Sequence, residues 1–136
     1  MNITEETFGS LFSAAISVRE NSCSAHSGFK VGAAVLTKKG NIYSGCNIES
    51  SSYGLTMCAE RNALSNALCA GEREFEAILI TAGTSEPVPP CGACRQLLYD
   101  YAPDLIVIMT NLEGKRLIEN ITELLKYPFG LENKLI

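Results

Sequence analysis

Two short segments of the chain put sulfur ligands where helices are expected to begin. Cys58-Ala59-Glu60-Arg61 follows a polar loop, and Pro90-Cys91-Gly92-Ala93-Cys94 follows a proline-rich one. A helix start offers free N–H groups and the positive end of the dipole, and both favour thiolates. Cys91 and Cys94 are three residues apart, so on a first helical turn they share one face and can grip one ion. Cys58 would bring the set to three sulfurs. Zinc suits them, because it accepts thiolates at about 2.3 Å in tetrahedral geometry. Three protein ligands leave the fourth position open to water, as in catalytic rather than structural sites. Zinc lowers the pKa of such water to about 7. A carboxylate beside it, here Glu60, could take its proton and hand it on.

Cys-x-x-Cys alone is also found in redox and structural zinc sites, and a strand before Cys91 nearly permits a thioredoxin-like placement. Neither alternative explains Glu60. A closed four-cysteine site would draw on Cys23, Cys46 or Cys69, none of which sits in a ligand-like pair. All three are expected to be small buried packing residues. The one histidine, His26, lies in a Ser-rich loop and is not expected to be a ligand. Three thiolates on Zn²⁺ carry a net charge of −1, which would blunt the metal. Arg61, on the same first turn as Glu60, is expected to donate hydrogen bonds to the cysteine sulfurs and offset that charge.

The elements that must position these groups follow from periodicity. An amphipathic helix is expected over Thr4–Arg19, with Phe8, Leu11, Phe12, Ala15 and Ile16 on one face and Asn2 or Thr4 as cap. Val31–Leu36 and Ile42–Cys46 form a hairpin about Lys39-Gly40-Asn41. A helix over Cys58–Ala70 stops at Gly71. Ala77–Thr81 is a buried strand, Gly92–Tyr101 a helix ended by Pro103, and Leu105–Met109 another buried strand. A short edge strand at Lys115–Ile118 and a helical turn at Ile121–Leu125 complete the order. One mixed sheet of about five strands, covered by helices on both faces, is implied: an α/β, three-layer α-β-α sandwich.

The chain has 136 residues, 46% hydrophobic and 19% charged. That is globular composition, and one domain over 1–136 is expected. The net charge is −4, which argues against a phosphate-binding surface and so against a polynucleotide substrate. No apolar run approaches the roughly 18 residues of a membrane span. The amino terminus has neither a basic region nor an apolar one, so no export signal is expected. A reducing, cytoplasmic setting follows, where cysteines serve as ligands or catalysts more often than as disulfides.

A first ligand, any residue, then Glu, followed later by Pro-Cys-x-x-Cys, is the signature of zinc deaminases. Beyond it, Phe29-Lys30-Val31-Gly32-Ala33-Ala34-Val35, Gly45-Cys46-Asn47-Ile48-Glu49, Cys58-Ala59-Glu60-Arg61 and Pro90-Cys91-Gly92-Ala93-Cys94-Arg95-Gln96 resemble the short-chain, three-cysteine cytidine deaminases. The resemblance runs from the first helix to about Phe129. It implies a cytidine deaminase-like fold, hydrolytic deamination of free cytidine or deoxycytidine in pyrimidine salvage, and one zinc ion per subunit on Cys58, Cys91 and Cys94. It makes Glu60 the proton shuttle and gives Asn47 and Glu49 to the ribose hydroxyls. Phe29 would line the pyrimidine pocket, Ala59 would help fix the base edge, and Phe129 would stack on the base from a neighbouring subunit. A homotetramer with active sites near subunit interfaces is implied, with no nucleic-acid or membrane partner. The chain departs from the family at Ala25-His26-Ser27 and at Lys126-Tyr127-Pro128-Phe129. A deaminase of a cytosine-containing antibiotic such as blasticidin S is the alternative, although Asn47-Ile48-Glu49 and Arg61 fit the nucleoside enzyme better.

Overall fold

The computed structural model describes residues 2–130, so residue 1 and residues 131–136 of the expected domain lie outside it. In chain order the elements are α1 (Glu5–Arg19), β1 (Val31–Thr37), β2 (Ile42–Cys46), a 3₁₀ turn (Tyr53–Leu55), α2 (Ala59–Cys69), β3 (Phe75–Ala82), α3 (Gly92–Tyr101), β4 (Ile106–Thr110), β5 (Arg116–Asn120) and α4 (Ile121–Leu124). One sheet carries the strands in the order β2-β1-β3-β4-β5. β1 is antiparallel to both β2 and β3, β3 and β4 are parallel, and β5 returns antiparallel on β4. The expected mixed sheet is therefore present, with the boundary of β5 shifted and β3 longer at both ends. No helix among the described residues is long and apolar enough to cross a membrane.

The two faces of the sheet hold separate apolar clusters, which makes the architecture three-layered. On one face Phe8, Leu11 and Ala15 of α1 pack on Ala34, Ala77, Leu79 and Ile108. On the other, Ala63, Leu64 and Ala67 of α2, Leu98 of α3 and Ile121 of α4 pack on Val35, Ile78, Ile80 and Val107. Successive residues of a strand point to opposite faces, so the unbroken apolar run of β3 feeds both clusters in alternation. Thr4 caps α1, its side chain accepting from the Thr7 N–H at 3.1 Å.

Two glycines let the helices approach. A Cβ on Gly32 would stand 2.0 Å from the carbonyl oxygen of Ala15, and one on Gly45 would stand 2.4 Å from the amide nitrogen of Ala63. Gly45 thus fixes how closely α2 lies on β2, which sets the height of the α2 amino terminus above the sheet. That is the end from which Cys58 and Glu60 project.

Candidate metal centre

Cys58 and Cys91 each occupy the N-cap position of their helix, with extended backbone. Cys58 is therefore one residue outside α2 rather than its first member. At Cys91 the thiol accepts from the Cys94 N–H at 3.5 Å, while the Cys58 side chain makes no capping bond. The two helix starts face one another. Cys58 Sγ lies 3.9 Å from Cys91 Sγ, and Cys91 Sγ lies 3.4 Å from Cys94 Sγ. All three sulfurs fall within 4.8 Å of one another. Thiolates at about 2.3 Å from a tetrahedral zinc are about 3.8 Å apart, so the spacing and the soft donor set both fit this metal.

Charge is unevenly distributed over the metal-free sulfurs. Cys58 is brought down to about 5, first by a hydrogen bond from Cys94 and then by Arg61 and Cys91, against the opposing effect of burial. Cys94 is driven far up, first by its proton being held on Cys58 and then by burial. The pair behaves as one thiolate and one thiol sharing a proton. Zinc would take up both as thiolates, releasing that proton.

Glu60 stands in the first turn of α2 and is only 4% exposed. Burial pushes its carboxyl up to about 7, and the negative Cys58 beside it adds to the rise. A carboxyl with that pKa can both hold and release a proton near neutrality. It lines a cavity of about 200 Å³ together with Cys58, Cys91, Ala59, Asn47 and Thr56. The walls are apolar: Phe29, Val31, Ile80, Val88 and Pro89. A flat aromatic base with one polar edge matches such a slot.

Arg61 meets the sulfurs by one hydrogen bond. Its Nη2 donates to the Thr56 carbonyl at 2.8 Å and to Cys58 Sγ at 3.9 Å, and among the described residues it makes no such bond to Cys91 or Cys94. Its Nε is buried without a partner. Its hydrogen bond reaches Cys58, and its charge acts through space on Cys58, Cys94 and Cys91 together. Cys23 and Cys69 differ from expectation, since both are exposed and only Cys46 is a buried packing residue. Cys69 lies in the last turn of α2, off the face carrying Ala63 and Ala67, and Cys23 belongs to the site's outer loop.

Asn47 and Phe29 line the metal pocket, and Glu49 stands beyond them where three loops meet. Cys23 pairs with Ile48, and Ile48 pairs with Met57, next to Cys58. Asn47 is buried and spends its amide internally. Its Oδ1 accepts from Ser22 Oγ at 2.5 Å and Val31 N–H at 2.9 Å, and its Nδ2 donates to the Phe29 carbonyl at 2.7 Å. Glu49 does not line the metal pocket. It lines a neighbouring cavity of about 350 Å³ with His26, Ser27, Ser50, Tyr53 and Thr56. Thr56 borders both cavities. Phe129 is 76% exposed and stands apart from the pocket, its carbonyl accepting from Gln96 Nε2 at 2.8 Å. His26 stacks edge-on against Tyr53 and is not among the sulfurs.

Several contributors escaped the sequence reading. Ser22 and Ser27 sit in the Ser-rich loop around His26, and Thr56 in the polar lead-in to α2. Val88 and Pro89 belong to the proline-rich loop before Cys91. Hydroxyl-rich loops flanking a ligand pair are the signal that was available.

Comparison with known proteins agrees with this geometry. Residues 6–110 match the family model described as the cytidine and deoxycytidylate deaminase zinc-binding region. A cytidine deaminase of Halalkalibacterium halodurans is 46% identical over 124 residues, 90% of this chain and 94% of that protein. The crystal structure of cytidine deaminase from Burkholderia pseudomallei superposes with a TM-score of 0.87 at 43% identity, covering 93% of this chain and all of that one. A blasticidin-S deaminase of Bacillus cereus is similar at a greater distance, 38% identical over 107 residues, 73% of this chain and 76% of that protein. The matched stretch includes both helix starts and all three converging cysteines, and the chain belongs to the cytidine and deoxycytidylate deaminase family.

Proposed function

We propose that the chain is a zinc hydrolase converting free cytidine or deoxycytidine, with water, to the uracil nucleoside and ammonia. One observation carries the reading: a buried carboxyl, Glu60, beside three converging sulfurs in an apolar slot of about 200 Å³. Cys58, Cys91 and Cys94 would hold one zinc ion. Zinc held there supplies hydroxide at neutral pH by lowering the pKa of water to about 7. Glu60 takes the proton of the attacking water and delivers it to N3 of the pyrimidine. Once the C4–O bond has formed, Glu60 takes the remaining proton from the C4 hydroxyl and passes it to the amine, so that the C4 carbonyl forms as the C4–N4 bond breaks and ammonia leaves. Ala59, at the first position of α2, offers a backbone group to the base edge. Phe29 and the apolar walls exclude water from the ring.

Glu49 and Asn47 are assigned to the sugar, Asn47 chiefly by bracing Phe29 and Val31. Arg61 offsets the charge on Cys58. Phe129, exposed and remote from its own chain's pocket, is assigned to a neighbouring subunit of a homotetramer whose active sites lie near the interfaces. We assign the chain to one catalytic domain, to the cytoplasm and to pyrimidine salvage. The similar protein named blasticidin-S deaminase keeps a cytosine-containing antibiotic as the second reading, but the cytidine deaminase of Halalkalibacterium halodurans is more similar and covers more of this chain.

The test is hydrolysis followed by loss of the aminopyrimidine ultraviolet band. The zinc-loaded protein should consume cytidine and deoxycytidine in preference to blasticidin S, and Glu60→Ala should not. No turnover of any of the three overturns the enzyme reading, and preference for blasticidin S installs the alternative. Light scattering of the eluted protein tests the tetramer.

A further inference from the structure

We infer that Ser27 is a positioning residue for the sugar end of the site, holding the Glu49 carboxylate and the Phe29 backbone in one arrangement. The inference rests on the nucleoside reading above. The Ser27 hydroxyl donates to Glu49 Oε2 and accepts from the Phe29 N–H at 3.0 Å. On the other carboxylate oxygen, Glu49 Oε1 accepts from the backbone N–H groups of His26 and Ser27 at 2.9 and 3.1 Å. The turn carrying these donors is closed by the Gly28 N–H donating to the Ser24 carbonyl at 2.7 Å. Gly28 has a φ of +68°, a conformation glycine adopts without strain.

A carboxylate has about four lone-pair sites. Two on Oε1 are taken by backbone and one on Oε2 by Ser27, which leaves Oε2 one acceptor site for a substrate hydroxyl. Ser27 is the sole side-chain donor to Glu49 among the described residues. Without it, a half-buried glutamate would have to be ordered at the moment of binding, at a cost in side-chain freedom. The same hydroxyl ties this carboxylate to Phe29, a wall of the metal pocket. Because Thr56 borders both cavities, a base with its amine at Glu60 would extend its sugar past Thr56 towards Glu49. These bonds also hold the Glu49 carboxyl below its ordinary range, Ser27 contributing most, so it meets the sugar charged.

The test compares a substrate bearing the sugar hydroxyls with a ligand lacking them. The KM and kcat for cytidine and the Ki of 2′,3′-dideoxycytidine are measured for the zinc-loaded parent, Ser27→Ala, Ser27→Thr, Glu49→Gln and the Ser27→Ala/Glu49→Gln pair. Ser27→Ala should raise the cytidine KM about tenfold, the loss of one charge-assisted bond. Its kcat and the dideoxycytidine Ki should stay within about twofold, and Ser27→Thr should restore KM, since hydroxyl donation is what the position supplies. In the Glu49→Gln background the Ser27 change should add almost nothing, because residues acting through one contact are not additive. An equal effect on both ligands, an effect on kcat alone, no effect, or full additivity would each overturn the inference. If Ser27→Ala does not fold, Ser27→Cys carries the same expectation, its thiol being a weak donor. A parent with no activity on cytidine would instead defeat the underlying function, so the two failures are distinct.

Discussion

Glu60 and Glu49 are eleven positions apart in sequence and sit in opposite environments. Glu60 is enclosed by the α2 amino terminus and the sulfurs, and burial lifts its carboxyl to about 7. Glu49 is only half-buried, and three hydrogen bonds from Ser27 and His26 hold its carboxyl low. Desolvation favours the neutral acid, while donors aimed at the carboxylate favour the anion. One glutamate is poised to exchange a proton and the other to remain an acceptor. The difference between the two carboxyls therefore lies in the surroundings and not in the residue type. It follows that the inner half of the site should respond to mutation in its chemistry, and the outer half in its binding.

The largest effect should come from removing what makes the inner half distinctive. Cys94→Ala deletes the fully buried sulfur and should abolish both zinc retention after dialysis and turnover, as measured by metal analysis alongside the ultraviolet assay. Next, Glu60→Gln should keep zinc and lower kcat by about 10²–10⁴-fold, the span of a lost general acid–base. Zinc retained with unchanged kcat would erase the contrast between the two glutamates. Arg61→Gln should lower activity or zinc affinity by about 10–100-fold, as for other groups bonded to a ligand. Unchanged zinc content and turnover would show that its bond to Cys58 does nothing for the metal.

The smallest effect should be at Glu49, in stability. Its folded pKa is depressed, so its contribution is present above the unfolded value of about 4.3 and is lost as pH falls below that value, through the folded pKa. Glu49→Gln should flatten the acid side of the stability curve below about pH 4.3 and leave the alkaline side alone. Denaturant titrations across that range check it. A change confined to higher pH would contradict the hydrogen-bonded cradle.

The inner half of the site was far more legible in the sequence than the outer half. Cys58, Glu60, Cys91 and Cys94 lie in two five-residue segments, and helical geometry at the start of α2 and α3 suffices to aim them. Asn47, Glu49 and Phe29 could be named through resemblance, but not what holds them. Ser22 and Ser27 are twenty-two to twenty-five residues from their partners, and nothing local in a Ser-rich loop says which hydroxyl meets which side chain. Arg61 shows the same limit. Its adjacency to Glu60 is local, but the Thr56 carbonyl that its guanidinium also bonds is placed by the tertiary fold. Cys23 and Cys69 were misjudged because cysteine's frequent burial is a statistical tendency, whereas exposure depends on the face each occupies.

For the fold, local patterning settled the kinds of element and their order, since short apolar runs about the Lys39-Gly40-Asn41 turn and three-to-four spacing in α1 are properties of neighbouring residues. The order β2-β1-β3-β4-β5, the approach of α2 over Gly45 and the meeting of the two helix starts are not. They depend on which apolar faces bury one another across the whole chain. The sequence by itself thus determined the ligand types, the place of Glu60 beside the first cysteine and the α/β class, all encoded within a helical turn or a strand's period. Only the tertiary structure decided that the sulfurs converge, that Glu60 is dry and Glu49 cradled, and that Arg61 bonds the Thr56 carbonyl as well as Cys58. Burial and long-range hydrogen bonds arise when distant segments pack, and those two quantities set what each carboxyl can do.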